Sequence, residues 1–131
     1  MKKLVIITNN PSLEPVFSKI HPELRCNIDY RDVTFLELME IVRNEVHSGA
    51  KILTHPLDGS VKPMETPYKS ILIDRSHKAL DFESLSLIEN AIDACHKFLL
   101  QDREFLPEVQ DDFQTIDRSL IESALDTARL F

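Results

Sequence analysis

The segment "KKLVIIT", residues 2–8, constrains the fold more than any other stretch of this chain. It is a continuous apolar run rich in β-branched residues, closed by "NNP", and such a run without polar alternation reads as a strand covered on both faces. Covering both faces takes two layers, and the rest of the chain has helical segments to supply them. "DVTFLELMEIVRNEVHSG" predicts a helix: Thr34 and Glu37 have capping-box spacing, Leu38, Ile41, Val42 and Val46 recur at helical intervals, and Gly49 supplies the stop. A second long helix starts at an Asp81 cap and carries Phe82, Leu85, Ile88, Ala91, Ile92, Cys95 and Leu99 in phase.

Shorter elements fill the intervals. Ser12 to Ile20 predicts a short helix with Ser12 as N-cap and Val16, Phe17 and Ile20 turned to the core. "RCNIDY" alternates with Cys26, Ile28 and Tyr30 on one face, as a half-buried edge strand does. "KIL" at 51–53 and "KSILID" at 69–74 predict two more strands. Pro107 and excess acid break the periodicity over 102–112, which predicts a connection, and Asp112 then caps a last helix bearing Phe113, Ile116, Leu120, Ile121, Ala124 and Ala128. The order β-α-β-α-β-loop-β-α-α predicts a single α/β domain over 1–131: a small three-layer sandwich with a mostly parallel four-stranded sheet, helices on both faces and C-terminal helices. The strand after the long loop would turn back as an antiparallel edge.

Charge narrows the partners. The net charge is −7, yet residues 1–78 carry 11 Lys and Arg against 10 Asp and Glu, whereas residues 79–131 carry 4 against 12. An acidic total without a basic run argues against nucleic acid, whose affinity comes from cations releasing counterions. The opening apolar run is too short for a membrane span or a secretory segment, and the two cysteines form no C-x-x-C pair, so a soluble, reduced, cytoplasmic protein is expected.

The long interval "LTHPLDGSVKPMETPYKS", 53–70, carries most of the functional argument. Loops of this length are uncommon in compact domains and tend to be functional or disordered. Pro56, Pro63 and Pro67 restrain the backbone, and Asp58-Gly59 is a turn dipeptide suited to positive φ. Parallel strands would gather their carboxyl ends at one edge, where open α/β sheets bind ligands. The groups delivered there are Asn9 and Asn10 from the first strand, Arg31 beside the second, and Thr54, His55, Ser60, Lys62, Thr66, Tyr68 and Lys69 from the loop. Hydroxyls, amides and cations in that mixture suit a small anion or a zwitterion. The structural alternative is an Ω-like loop whose polar groups satisfy its own backbone.

"VIITNNP", the loop with its "THP", "GSVKP" and "ETPYKS", and the helix opening "DFESLSLIENAI" together resemble the GrdX family, the small accessory proteins encoded with glycine, sarcosine and betaine reductases of amino-acid-fermenting anaerobes. The resemblance runs from Met1 to about Leu100 and is most specific in the loop. It implies association with components of that reductase system and no catalytic residue.

Other motifs carry less. "DGSVKP" lacks the earlier glycine and following helix of a phosphate-binding loop. Ser60 and Lys62 would need a desolvated lysine to act as nucleophile and base. His55 at a strand end could serve as acid or base, or merely pin its loop to backbone. The five histidines show no paired metal-ligand spacing, and "DACH" offers one Asp93/His96 pair, so neither metal nor cofactor is expected. Cys26 and Cys95 lie on apolar stripes and read as core thiols. The last helix reads as core, although a terminal helix could swap or pair in a homodimer. Two functions follow: an accessory or regulatory protein of the reductase system using the 54–70 loop to bind a polar ligand or a partner, or a small enzyme acting on a carboxylate or an acyl or phosphoryl compound through His55, Lys62 and Tyr68.

Overall fold

A computed structural model of the chain describes residues 2–57, 66–98 and 106–130. Its elements are β1 (Leu4–Thr8), α1 (Leu13–Ile20), β2 (Asn27–Tyr30), α2 (Phe35–His47), β3 (Lys51–Ile52), β4 (Ser70–Asp74), α3 (Phe82–Phe98) and α4 (Pro107–Thr127). The strands form one sheet in the order β2-β1-β4-β3. β1 runs parallel to β2, while β4 runs antiparallel to both β1 and β3. The sheet is therefore mixed, not mostly parallel as the alternation of elements suggested. β4 sits in the middle of it rather than at an edge. All five β4 positions are buried, whereas β3 has two residues with Lys51 exposed. A strand apolar on both faces gains most where both faces and both edges are covered.

Side chains alternate between the faces of this sheet. Val5 and Ile7 of β1 with Ile71 and Ile73 of β4 pack against Leu38, Met39, Val42 and Val46 of α2 and Ile88, Ala91, Ile92 and Cys95 of α3. Ile6 and Leu72 face the other way, against Leu13 and Phe17 of α1 and Ile121 and Leu125 of α4. Two helices thus cover each face. Each such isoleucine or leucine removed from water contributes about 1.5–3 kcal/mol.

Local signals set the element ends. The Thr34 hydroxyl accepts from the Glu37 N–H (3.2 Å) while the Glu37 carboxylate accepts from the Thr34 N–H (3.1 Å), a reciprocal capping box. α2 ends at Gly49, whose φ of 103° lets its N–H reach the Val46 carbonyl and the Ala50 N–H reach the Glu45 carbonyl. A β-carbon there would lie 2.7 Å from the His77 carbonyl oxygen, so the close approach independently requires glycine. At the start of α3, Asp81 accepts from both the N–H and the hydroxyl of Ser84, and that hydroxyl accepts from the Ile52 N–H (2.8 Å). One cap therefore also docks β3 onto α3.

Other local expectations are corrected. Ser12 occupies the α1 cap position, but its side chain caps nothing; Asn10 accepts from the Ser12 N–H and hydroxyl instead. α4 begins at Pro107, five residues before the expected Asp112, so residues 107–112 are helix rather than connection. Proline suits this first helical position, where its missing N–H costs nothing. Ile20, Phe82, Ile116 and Ala128, all assigned to core stripes, are exposed, as is Tyr30 of β2. The face of α4 that is fully buried consists of Asp117, Ile121 and Leu125.

Candidate functional site

β1 and β3 point the same way because each is antiparallel to β4. The carboxyl end of β1 lies beside the first residue of β4, with Thr8 opposite Ser70, whereas β3 ends opposite Ile73; Gln114 and Asp117 of α4 meet the chain at Asn10 and Ser70. Asn9 follows β1 directly and is 5 % exposed. Its amide nitrogen donates to the carbonyls of Val33 (3.1 Å) and Pro67 (2.8 Å), and its amide oxygen accepts from the Lys69 N–H (2.9 Å). One side chain thereby joins the entry of α2 to the chain entering β4. Asn10 donates to the Gln114 carbonyl and to the Asp117 carboxylate, both at 3.0 Å, and so joins β1 to α4.

Asp117 is the centre of this end of the molecule. Its Oδ2 also accepts from the Ser70 hydroxyl at 2.7 Å, and Ser70 lies 2.7 Å from the Thr8 hydroxyl. A serine has one proton to give, and here it goes to the carboxylate, so Thr8 donates to Ser70 and itself accepts from the Asn10 N–H (2.9 Å). The result is a directed chain, Thr8 to Ser70 to Asp117, between groups that are all buried. Burial pushes the Asp117 carboxyl above its ordinary 3.8, while the Ser70 and Asn10 hydrogen bonds and the Lys69 charge pull in the other direction. Lys69 is itself buried. Among the described residues, no buried side-chain nitrogen or oxygen lacks a hydrogen-bond partner.

The remaining expected site residues are arranged around this network. The Tyr68 hydroxyl accepts from the Gln114 side-chain amide (3.0 Å), and the Tyr68 N–H reaches the Thr66 hydroxyl at 3.3 Å. The Thr54 hydroxyl accepts from the Leu72 N–H (3.0 Å), extending the β3–β4 pairing by one bond. His55 is exposed, and its Nδ1 accepts from the Leu57 N–H at 3.0 Å, which is the loop-pinning role. Arg31 forms a two-pronged pair with Asp29, at 2.9 and 3.2 Å. Ser60, Lys62 and the Gly59 turn lie outside the described residues. The structure thus brings Asn9, Asn10, Thr66, Tyr68 and Lys69 together, with Thr54 and His55 further along at the end of β3.

A cleft of about 490 Å³ opens between Leu53, Thr54 and His55 on one side and Leu120, Ala124 and Ala128 of α4 on the other. Two of the sequence-predicted site residues, Thr54 and His55, line it. Among those residues no cluster of three or more His, Cys, Asp or Glu is placed to hold a metal ion, and no helix is long and apolar enough to cross a membrane. Cys95 is buried in the α2–α3 core, Cys26 is half-buried beside α1, and burial pushes both thiols up to about 11. Neither is a thiolate at neutral pH.

Asp117, Ser70 and Gln114 escaped the sequence reading. The signal was present: Asp117 falls four residues after Phe113 and four before Ile121, a carboxylate inside an apolar stripe. A charged residue at such a position is buried with partners or it breaks the stripe.

Fold and site together define a small mixed-sheet α/β protein with two helices on each face and an internally bonded polar end. Residues 5–126 match the family of GrdX-like proteins, and the chain belongs to that family. The match extends the expected resemblance through α4, the helix that carries Asp117. No curated protein and no solved structure matches the chain.

Proposed function

We propose that this protein is a cytoplasmic, non-enzymatic accessory or regulatory component of the glycine, sarcosine and betaine reductase system, folded as one α/β domain over 1–131, and that the 54–70 loop is its binding surface. Family membership supports the association. The observation that carries the rest is the closed hydrogen bonding at the carboxyl end of β1, where Asn9, Asn10, Ser70 and Asp117 are spent on one another and on backbone. A catalytic group needs a free lone pair or proton aimed at substrate, whereas a docking platform needs stiffness, and this network supplies stiffness. Asn9, Asn10 and Lys69 set the ends of the loop in this reading. Thr54, His55, Ser60, Lys62, Thr66 and Tyr68 present its surface to a reductase subunit or to a small anion or zwitterion.

Limited proteolysis of the 54–70 loop tests this, with purified reductase subunits in one arm and glycine, sarcosine, betaine or phosphate in the other. Protection by a subunit alone identifies protein docking, and protection by a small molecule identifies a ligand site. Absence of protection in both arms overturns the reading. The cleft beside His55 supports a second reading, a small enzyme acting on a carboxylate or an acyl or phosphoryl compound. Turnover by the purified protein that disappears in His55→Ala would establish it in place of the first.

A further inference from the structure

The opposite end of β1 has the reverse character. A groove of about 380 Å³ runs past the start of β1 and the approach to β2, lined by Lys2, Lys3, Arg25 and Arg75 with Cys26 and Asn27, and none of its lining residues is acidic. That is unexpected in a chain of net charge −7. The cations differ in how far they are already neutralised. Arg75 donates to the Glu45 carboxylate at 2.7 and 3.0 Å and lies 3.7 Å from Asp29. Asp74, next to it, accepts from the Lys3 and Ser76 N–H groups and faces His77 at 3.4 Å. Lys2, Lys3 and Arg25 are exposed, and among the described residues none of their side chains has an ion-pair partner.

We propose that this groove is a binding site for a compact, multiply charged phosphate anion. Three cations without an ion-pair partner among the described residues line one groove, so an occupant with at least two negative charges can meet more than one of them. A monocarboxylate offers a single charge. The planar guanidinium fork of Arg25 beside two lysine point charges is the complement of a phosphate's several oxygens. The volume is at the small end for ligand sites, and the acidic remainder of the chain repels a long polyanion, so nucleic acid does not fit this surface. The groove lies at the far end of β1 from the 54–70 loop, and its test is independent of the function proposed above.

Calorimetric titration of the full chain at low ionic strength, with pyrophosphate, inorganic phosphate and acetate in separate arms, reads the site directly. Pyrophosphate should bind tightest and acetate weakest. Arg25→Gln and Lys3→Gln should each weaken pyrophosphate by about tenfold, the worth of one charge-assisted contact. Lys97→Gln, an exposed cation on α3, should leave the affinity unchanged. All three variants should melt with the wild type, because the replaced side chains are exposed. A nucleoside diphosphate arm distinguishes sources: tighter binding than pyrophosphate identifies a nucleotide, and equal binding identifies the diphosphate alone. Failure of folded wild-type protein to bind pyrophosphate, equal affinity for acetate, or an equal loss in Lys97→Gln overturns the proposal.

Discussion

Asp74 and Asp117 are both almost fully buried, one at each end of β4, and their surroundings drive them in opposite directions. At Asp74, burial alone would raise the carboxyl, but donation from Ser76 and from the Lys3 N–H, with His77 nearby, outweighs it and holds the group down at about 2. At Asp117, burial wins over the Ser70 and Asn10 donors and over Lys69, and the carboxyl is raised. Both carboxyls have a serine donor: Ser76, with the Lys3 N–H, bonds Asp74 at the carboxyl end of β4, and Ser70, with the Asn10 side-chain amide, bonds Asp117 beneath α4. Hydrogen bonding and desolvation compete at both carboxyls; the first prevails at Asp74 and the second at Asp117.

The largest effect expected from this contrast is in Asp117→Leu. It removes the acceptor of Ser70 and Asn10 and a charge that interacts with buried Lys69, and should cost about 3–5 kcal/mol in urea unfolding. Asp74→Leu leaves the Lys3 and Ser76 N–H groups close to solvent and should cost about 2 kcal/mol. Equal losses in the two variants would erase the distinction between the two ends.

The pH dependence sharpens it. Asp117 has a folded pKa above its unfolded value, so its favourable contribution is full below 3.8 and is lost as pH rises through the raised value. Asp74 is the reverse: its contribution is present above 3.8 and is lost as pH falls through about 2. Each group can tilt stability by at most about 1.4 kcal/mol per pH unit. Urea midpoints across pH should therefore lose their decline on the rising side in Asp117→Asn and their acid-side decline in Asp74→Asn. Identical profiles for the two variants would contradict the opposed shifts. The smallest effect, about 1 kcal/mol, is expected for Ser70→Ala, which interrupts the Thr8-to-Asp117 chain but leaves Asn10 bonded to the carboxylate.

What could be read in the sequence was local. The Thr34–Glu37 box, the Asp81 cap, the Gly49 stop and the apolar run of β1 each depend on residues within a few positions of one another, and all stand in the structure. Strand order was illegible because placing β4 between β1 and β3 is decided by pairings some 65 residues apart, such as Val5 with Ile73. Pro107 misled because the same residue that breaks a helix interior begins one well. At the candidate site, the first strand's end points to Asn9 and Asn10 and the loop to Tyr68 and Lys69, but the bonds that tie Asn10 and Tyr68 to Gln114 and Asp117 are not legible, because the stripe of α4 reads as apolar packing alone. His55 shows the converse: its position drew attention, and its Nδ1 is engaged by the neighbouring Leu57 N–H.

The central placement of β4 also fixes a schedule for biosynthesis. As the chain emerges from the ribosome, β1 can find β2 on one side, but its other side stays open until residues 70–74 have appeared, and β3 has no neighbour until then. An unpaired apolar strand is the kind of surface that recruits other chains. The nascent protein therefore carries its stickiest segment half covered from the appearance of Tyr30 to that of Ser70, and a ribosome stalled just before Ser70 would leave a fragment that no later helix could rescue.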